Sequence, residues 1–432
     1  MGTSANWEPR PRSAVSSGVG LAGLSGLAIW CAIALRYGLN GPFAALTAVA
    51  ASALPMVLWS LIVDKVQRNP STGIDWQGAP RGWRAARDTA LVKIAGLWTT
   101  WAIIGFAYFI GRWYWQGSYL FAMETLGTVL PVLLIGSVPY VWWLDRRLIE
   151  PRDGAWAFGH WLLGRGDDPA LRARIFDHAR AWTVKGFFTA FMISTLPGNW
   201  QSLASASPAR MLDDPVALAE GLIALMFLID VTMATVGYLL TMRPLDSHIR
   251  SANPYAAGWT AALICYPPFL LMNSGGPLDY GPGSLGWARA LSDHPLLQPV
   301  WAFALIALTA IYAWATVAFG PRFSNLTNRG ILTHGPYRWA RHPAYLSKNL
   351  FWWLSAVPML TTSGLRTDAI RNCCILAIIN GVYYWRARTE ERHLGADPAY
   401  LAYAGWMARN GPVARLKALI AARRMAPPVA AE

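Results

Sequence analysis

Charged side chains are scarce in this chain. Asp, Glu, Lys and Arg together make up 14% of its 432 residues, against about a quarter in an ordinary soluble domain, so a wholly soluble globule is excluded. Lysine is the scarcest cation, with five residues against 32 arginines. There are four cysteines (Cys31, Cys265, Cys373 and Cys374), all within apolar runs and without metal-ligand spacing. That excludes a disulfide framework and gives no metal site. Internal repeats and low-complexity linkers are absent. The Gly/Pro-rich stretch 273–286 lacks the Gly-Lys-Ser/Thr ending of a phosphate loop and reads as turns. No Ala-x-Ala site follows the first apolar run, which is therefore expected to remain as an anchor.

What is present is apolar. Hydrophobic residues make up 54% of the chain, and long runs recur at the length of bilayer-spanning helices, about 20 residues each. The expected fold is an all-α, polytopic integral membrane protein with about ten spans: 18–36, 42–63, 91–111, 118–144, 182–203, 216–241, 255–273, 297–320, 346–362 and 368–386. Pro197, Pro267-Pro268 and Pro358 interrupt the fifth, seventh and ninth. With the amino terminus inside, inner segments hold 31 of the 37 basic residues and outer segments six. The positive-inside rule therefore puts both termini in the cytoplasm, with a bacterial inner membrane as the expected location. The net charge of +14 is then accounted for by inner-face arginines near anionic headgroups, and no nucleic-acid partner is expected. Trp113 and Trp115, Trp142 and Trp143, and Trp352 and Trp353 suit interfacial belts.

Two charged clusters flank the last pair of apolar runs. Gly335-Pro336-Tyr337-Arg338-Trp339-Ala340-Arg341-His342-Pro343-Ala344-Tyr345 precedes them, and Arg386-Ala387-Arg388-Thr389-Glu390-Glu391 follows. A helical hairpin leaves and returns on one side, so the clusters are expected to meet. His342 before Pro343 makes a stiff entry to the first helix. Arg386 and Glu390, four apart, share a helix face, whereas Glu390 and Glu391 point about 100° apart.

Gly-Pro-Tyr, Arg-His-Pro-x-Tyr, a hairpin and Arg-x-x-x-Glu-Glu resemble the isoprenylcysteine carboxyl methyltransferase and phospholipid methyltransferase family. The likeness runs from about Leu297 to Pro412 and includes Tyr400 and Tyr403. It implies an integral-membrane enzyme that uses S-adenosyl-L-methionine, with the cofactor site on the C-terminal hairpin at the cytoplasmic face. By this resemblance Arg386 and Glu390 are the catalytic pair. Cofactor contacts fall to Gly335, Tyr337, Arg341, His342, Pro343, Tyr345, Glu390 and Glu391, with the backbone from Thr333 to Tyr337 lying near the adenosine. The implied acceptor is lipophilic: an isoprenylcysteine carboxylate, an isoprenoid or another lipid. Where many members have glycine two residues after the motif tyrosine, this chain has Ser347, then Lys348, which leaves the acceptor open.

The chain divides on this reading into an N-terminal bundle, 1–290, and a methyltransferase domain with a cytoplasmic tail, 291–432. Gly18, Gly20, Gly23 and Gly26 are read as close-packing positions. Asp168-Pro169 can start a helix with Leu171, Ile175 and Ala179 along one stripe, as an interfacial amphipathic helix would have, with a solvated connector as the alternative. Asp230, Glu124 and Lys348 lie within apolar runs and either pair or line a cavity. Two other function classes fit the pattern. One is an NADPH-dependent, sterol-reductase-like enzyme drawing on Arg322, Arg329, Arg338 and Arg341; the other is a non-catalytic transporter or assembly protein.

Overall fold

The computed structural model describes residues 8–111 and 117–425; Trp113 and Trp115 lie outside them. The chain opens with α1 (Ser17–Arg36), α2 (Pro42–Leu58, continued by a π-helical turn at Trp59–Val63), α3 (Trp83–Gly111) and α4 (Ser118–Asp145). A short α5 (Gly154–Leu162) leads to the long α6 (Pro169–Ala204), then α7 (Pro208–Asp213) and α8 (Pro215–Leu239). Strand β1 (Ser251–Ala252), α9 (Ala256–Leu263) and α10 (Trp287–Ala290) precede α11 (Leu297–Phe319). Strand β2 (Thr327–Asn328) pairs antiparallel with β1, Ser251 opposite Asn328. The chain continues through α12 (Pro343–Ala356), α13 (Arg366–Leu394), α14 (Pro398–Asn410) and α15 (Pro412–Met425).

Proline at the first turn begins α2, α6, α8, α12 and α14, where its missing N–H costs nothing. Asp168, Asp214 and Asp397 cap three of these by accepting from the amides of Leu171, Val216 and Ala399. Asp168 does start a helix as expected, but not a separate interfacial one. The stripe of Leu171 runs on into the fifth apolar stretch as one 36-residue rod.

Among the described residues, six helices are long and apolar enough to cross a membrane: Ser17–Arg36, Pro42–Val63, Trp83–Gly111, Tyr119–Asp145, Pro215–Leu239 and Leu297–Arg322. Ten were expected. α6 and α13 have the length, at 36 and 29 residues, but are less apolar. The 255–273 run gives only the eight-residue α9, after which the chain turns through Pro267-Pro268. α12 has 14 residues, about 21 Å at 1.5 Å per residue, short of the roughly 30 Å hydrocarbon core.

Glycine lets α1 approach its neighbours. A Cβ on Gly20 would lie 2.5 Å from the Val317 carbonyl oxygen of α11, and one on Gly26 2.0 Å from that of Ala51 in α2. The main core cluster joins Val19, Leu27, Met56, Leu228, Met233 and Val317, from α1, α2, α8 and α11. The segment from Glu8 to Ala14 lies along residues 331–334 and α14: Ala14 N–H donates to Ile331 O at 2.8 Å, and Trp406 Nε1 to Glu8 O at 2.8 Å.

Candidate active site

The first turn of α12 meets the last turns of α13. Because the helices are antiparallel neighbours, the two charged clusters of the sequence come together. Tyr345 donates its hydroxyl hydrogen bond to Glu390. Arg386 Nε reaches the same oxygen at 3.3 Å, while its Nη2 donates to Asn325 Oδ1 at 2.6 Å. His342 Nε2 lies 3.2 Å from Glu391 Oε1, and its ring stacks on Tyr345 with centroids 5.6 Å apart. Arg341 and Arg388 hold Glu391 at 3.0 and 2.7 Å. Burial raises the Glu391 carboxyl, but the His342 hydrogen bond and the nearby Arg341 and Arg388 together outweigh it and leave the group below its usual value. Burial lowers the pKa of His393, one turn further along.

Part of this cluster lines a cavity of about 180 Å³. Of the residues expected at the site, Tyr337, Arg341, His342, Tyr345, Arg386 and Glu390 line it. Gly335, Pro343 and Glu391 do not, and they act on the shape of the wall. Gly335 has φ +57°, and a Cβ there would sit 3.2 Å from that of Ala318, so glycine allows this turn to seat on α11. Pro343 begins α12. Glu391 grips His342 and Arg341 from outside the cavity. Tyr403 donates to Tyr337 O at 2.6 Å and packs with Tyr400 and Ile331, tying α14 to the signature turn.

Several wall residues escape sequence reasoning. Asn325 and Tyr266 carry no motif, and they reach the site only because the loop before β2 and the chain after α9 fold beside α13. Tyr383 had a signal, since it lies three residues before Arg386 on the same face. Thr327 also lines the cavity, and its hydroxyl is buried without a protein partner.

The charges left open by sequence now have neighbours. Asp230 accepts from Tyr312 at 2.9 Å and from Thr316. Lys348 lines the cavity with its ammonium 5.2 Å from the Trp352 ring and 5.5 Å from Tyr312, and no carboxylate lies within ion-pair distance among the described residues. Trp352 thus packs inward beside Lys348. Glu124 is exposed. Two arginines offered for a phosphate-bearing cofactor are committed elsewhere. Arg322 pairs with Asp246 at 2.7 Å, and Arg329 donates to the carbonyls of Ser247, Gly237, Phe323 and Pro321. Arg338 is exposed and rests over Trp339 at 4.2 Å.

Residues 296–396 match the model of the isoprenylcysteine carboxyl methyltransferase (ICMT) family. No curated protein and no solved structure gives a match. The ICMT segment begins just before α11 and ends just after α13, and it supplies every named wall residue except Tyr266, Tyr400 and Tyr403. Together with the six apolar helices, it supports a membrane methyltransferase.

Proposed function

We propose that the chain is an integral-membrane methyltransferase that takes S-adenosyl-L-methionine as donor and modifies a lipophilic acceptor at the cytoplasmic face. The observation that carries this reading is the junction of Tyr345, Arg386, Glu390 and Asn325 on one cavity wall, within and beside the ICMT-matched segment.

The wall residues fit such a cofactor. Its amino-acid end needs a cation and a carboxylate, which Arg341 and Glu390 provide; its ribose needs polar partners, and the buried Thr327 hydroxyl lacks one. Tyr337, Tyr345 and the stacked His342 give aromatic surface for the adenine and the sulfonium. When bound, the cofactor supplies an electrophilic methyl group on a sulfonium. The chain's own contribution is to orient. Asn325 and Glu390 fix the Arg386 guanidinium, and Arg386 in turn holds an anionic or polar acceptor group in line with the methyl. Lys348, on the same cavity lining, favours an acceptor that carries negative charge. A carboxylate oxygen suits both cations, and it requires no proton to be removed before attack. The first 290 residues form the bundle that would shape the acceptor's lateral entry from the bilayer.

The test is transfer of labelled methyl from S-adenosyl-L-methionine into membrane lipid extracts by the purified full chain. Label should enter an organic-soluble product, and conversion of acceptor carboxyl groups to amides beforehand should abolish it. Label in no lipid fraction, from protein that binds the cofactor, would remove the lipid acceptor from the reading.

A further inference from the structure

A second cavity, of about 950 Å³, lies outside the ICMT-matched segment, among α3, α4, α5, α6 and the loop that leads into β1. Part of its lining is apolar and includes Leu97, Trp101, Val132 and Leu133. Val132 and Leu133 are also exposed, at 69% and 44%, on α4, the candidate span with the smallest buried share. The apolar lining therefore continues onto an exposed apolar face of α4.

The lining also gathers cations: Arg152, Arg174, Lys185 and Arg243. Among the described residues none of the four has a carboxylate within ion-pair distance. Their contacts are weaker substitutes. Lys185 lies over Trp182 at 4.6 Å and Arg152 over Trp156 at 5.2 Å; Arg174 and Arg243 each donate to a backbone carbonyl at 3.1 Å. The remaining charged lining residues largely neutralise one another or a neighbour. Asp153 binds Lys93 at 3.0 Å, Asp177 binds Arg180 at 2.5 Å, and Arg250 lies 3.5 Å from Asp246, which leaves Glu150 as the one unmatched acid. His248 adds no charge: burial, then Arg243, push its pKa down to about 3, and its buried Nδ1 has no partner. Uncompensated cations gathered around one recess focus a positive potential and attract an anion.

We propose that this cavity binds a membrane lipid by its anionic headgroup, with Arg152, Arg174, Lys185 and Arg243 around the head and the α4 lining along an acyl chain. A free anion would satisfy the cations but leave the apolar lining bare, whereas a phosphorylated lipid satisfies both. The site is distinct from the methyl-transfer cavity but adjoins it, since β1 lines this one and β2 the other, and Ser251 Oγ lies 2.9 Å from His393 Nε2.

The experiment is native mass spectrometry of the full chain in uncharged detergent, with equimolar phosphatidylglycerol and phosphatidylcholine of the same acyl chains. The wild type should retain phosphatidylglycerol at least tenfold over phosphatidylcholine. Arg243→Gln, and separately the pair Arg152→Gln and Arg174→Gln at exposed positions, should each reduce that preference at least fivefold, while Arg338→Gln keeps it. The exposed pair keeps the test decisive if the Arg243 variant fails to fold. Equal retention of the two lipids, or an unchanged preference in the exposed pair, would overturn the proposal. So would displacement of the bound lipid by glycerol phosphate at matching concentration, which would mark a site for soluble anions.

Discussion

Arg386 is 3% exposed in its side chain, and its guanidinium is divided between Asn325 and Glu390. A buried cation is tolerable only while such partners remain. Asn325→Ala removes a charge-assisted bond and should lower stability by about 1.5–3 kcal/mol, read as a lower denaturation midpoint in detergent. Glu390→Gln keeps the shape and an acceptor oxygen but removes the charge. Its melting temperature should stay within a few degrees of wild type while methyl transfer falls at least about tenfold, which corresponds to 1.4 kcal/mol of lost transition-state stabilisation. Glu391 gives a pH signature. Its folded pKa is lowered, so its contribution to stability is present above the unfolded value of about 4.3 and is lost as pH falls through the folded value. The stability difference between wild type and Glu391→Gln should be constant above about pH 5 and shrink below pH 4; a difference independent of pH would contradict the cluster. At this scale the Arg386–Glu390 pair was legible because helix periodicity alone brings residues four apart together. Asn325 was not: it lies 61 positions from Arg386, in a loop whose course depends on the β1–β2 pairing.

At the scale of elements, what aims the site is the antiparallel contact of α12 and α13. The sequence marked that hairpin through its two charged clusters, and it marked helix starts through Asp-Pro and His-Pro. It did not separate an apolar run from a spanning helix. Hydropathy records where side chains avoid water, and the 255–273 run avoids it as a short helix and turns packed beside α13, as irregular backbone buried in protein can. The glycines of α1 were legible as packing positions for a steric reason that the structure makes explicit. Gly26→Leu would drive a side chain into the Ala51 carbonyl and should destabilise the protein by about 1–3 kcal/mol or more. Gly38→Ala, in open space but at φ +64°, should cost only the strain of that backbone. Thermal unfolding of the two variants side by side checks the contrast.

Across the whole molecule, α8 and α1 pack on α11, and the Glu8–Ala14 segment lies against residues 331–334. The first part of the chain therefore supports the ICMT-matched part directly, a relation no motif announces. The bias of basic residues toward one set of segments predicts which end faces the cytoplasm. With the native cysteines replaced, a cysteine at Gln77, after the span Pro42–Val63, should react with an impermeant thiol reagent only after cells are opened, and one at Asn40, before that span, in intact cells; the reverse pattern would invert the topology. If the Arg386–Glu390 cavity holds the methyl donor, calorimetric titration of the purified full chain with S-adenosylhomocysteine, alongside Glu390→Gln and His342→Ala, should show micromolar binding by wild type that is lost in both variants. Absence of binding by well-folded wild type, or equal binding by all three, would rule this out.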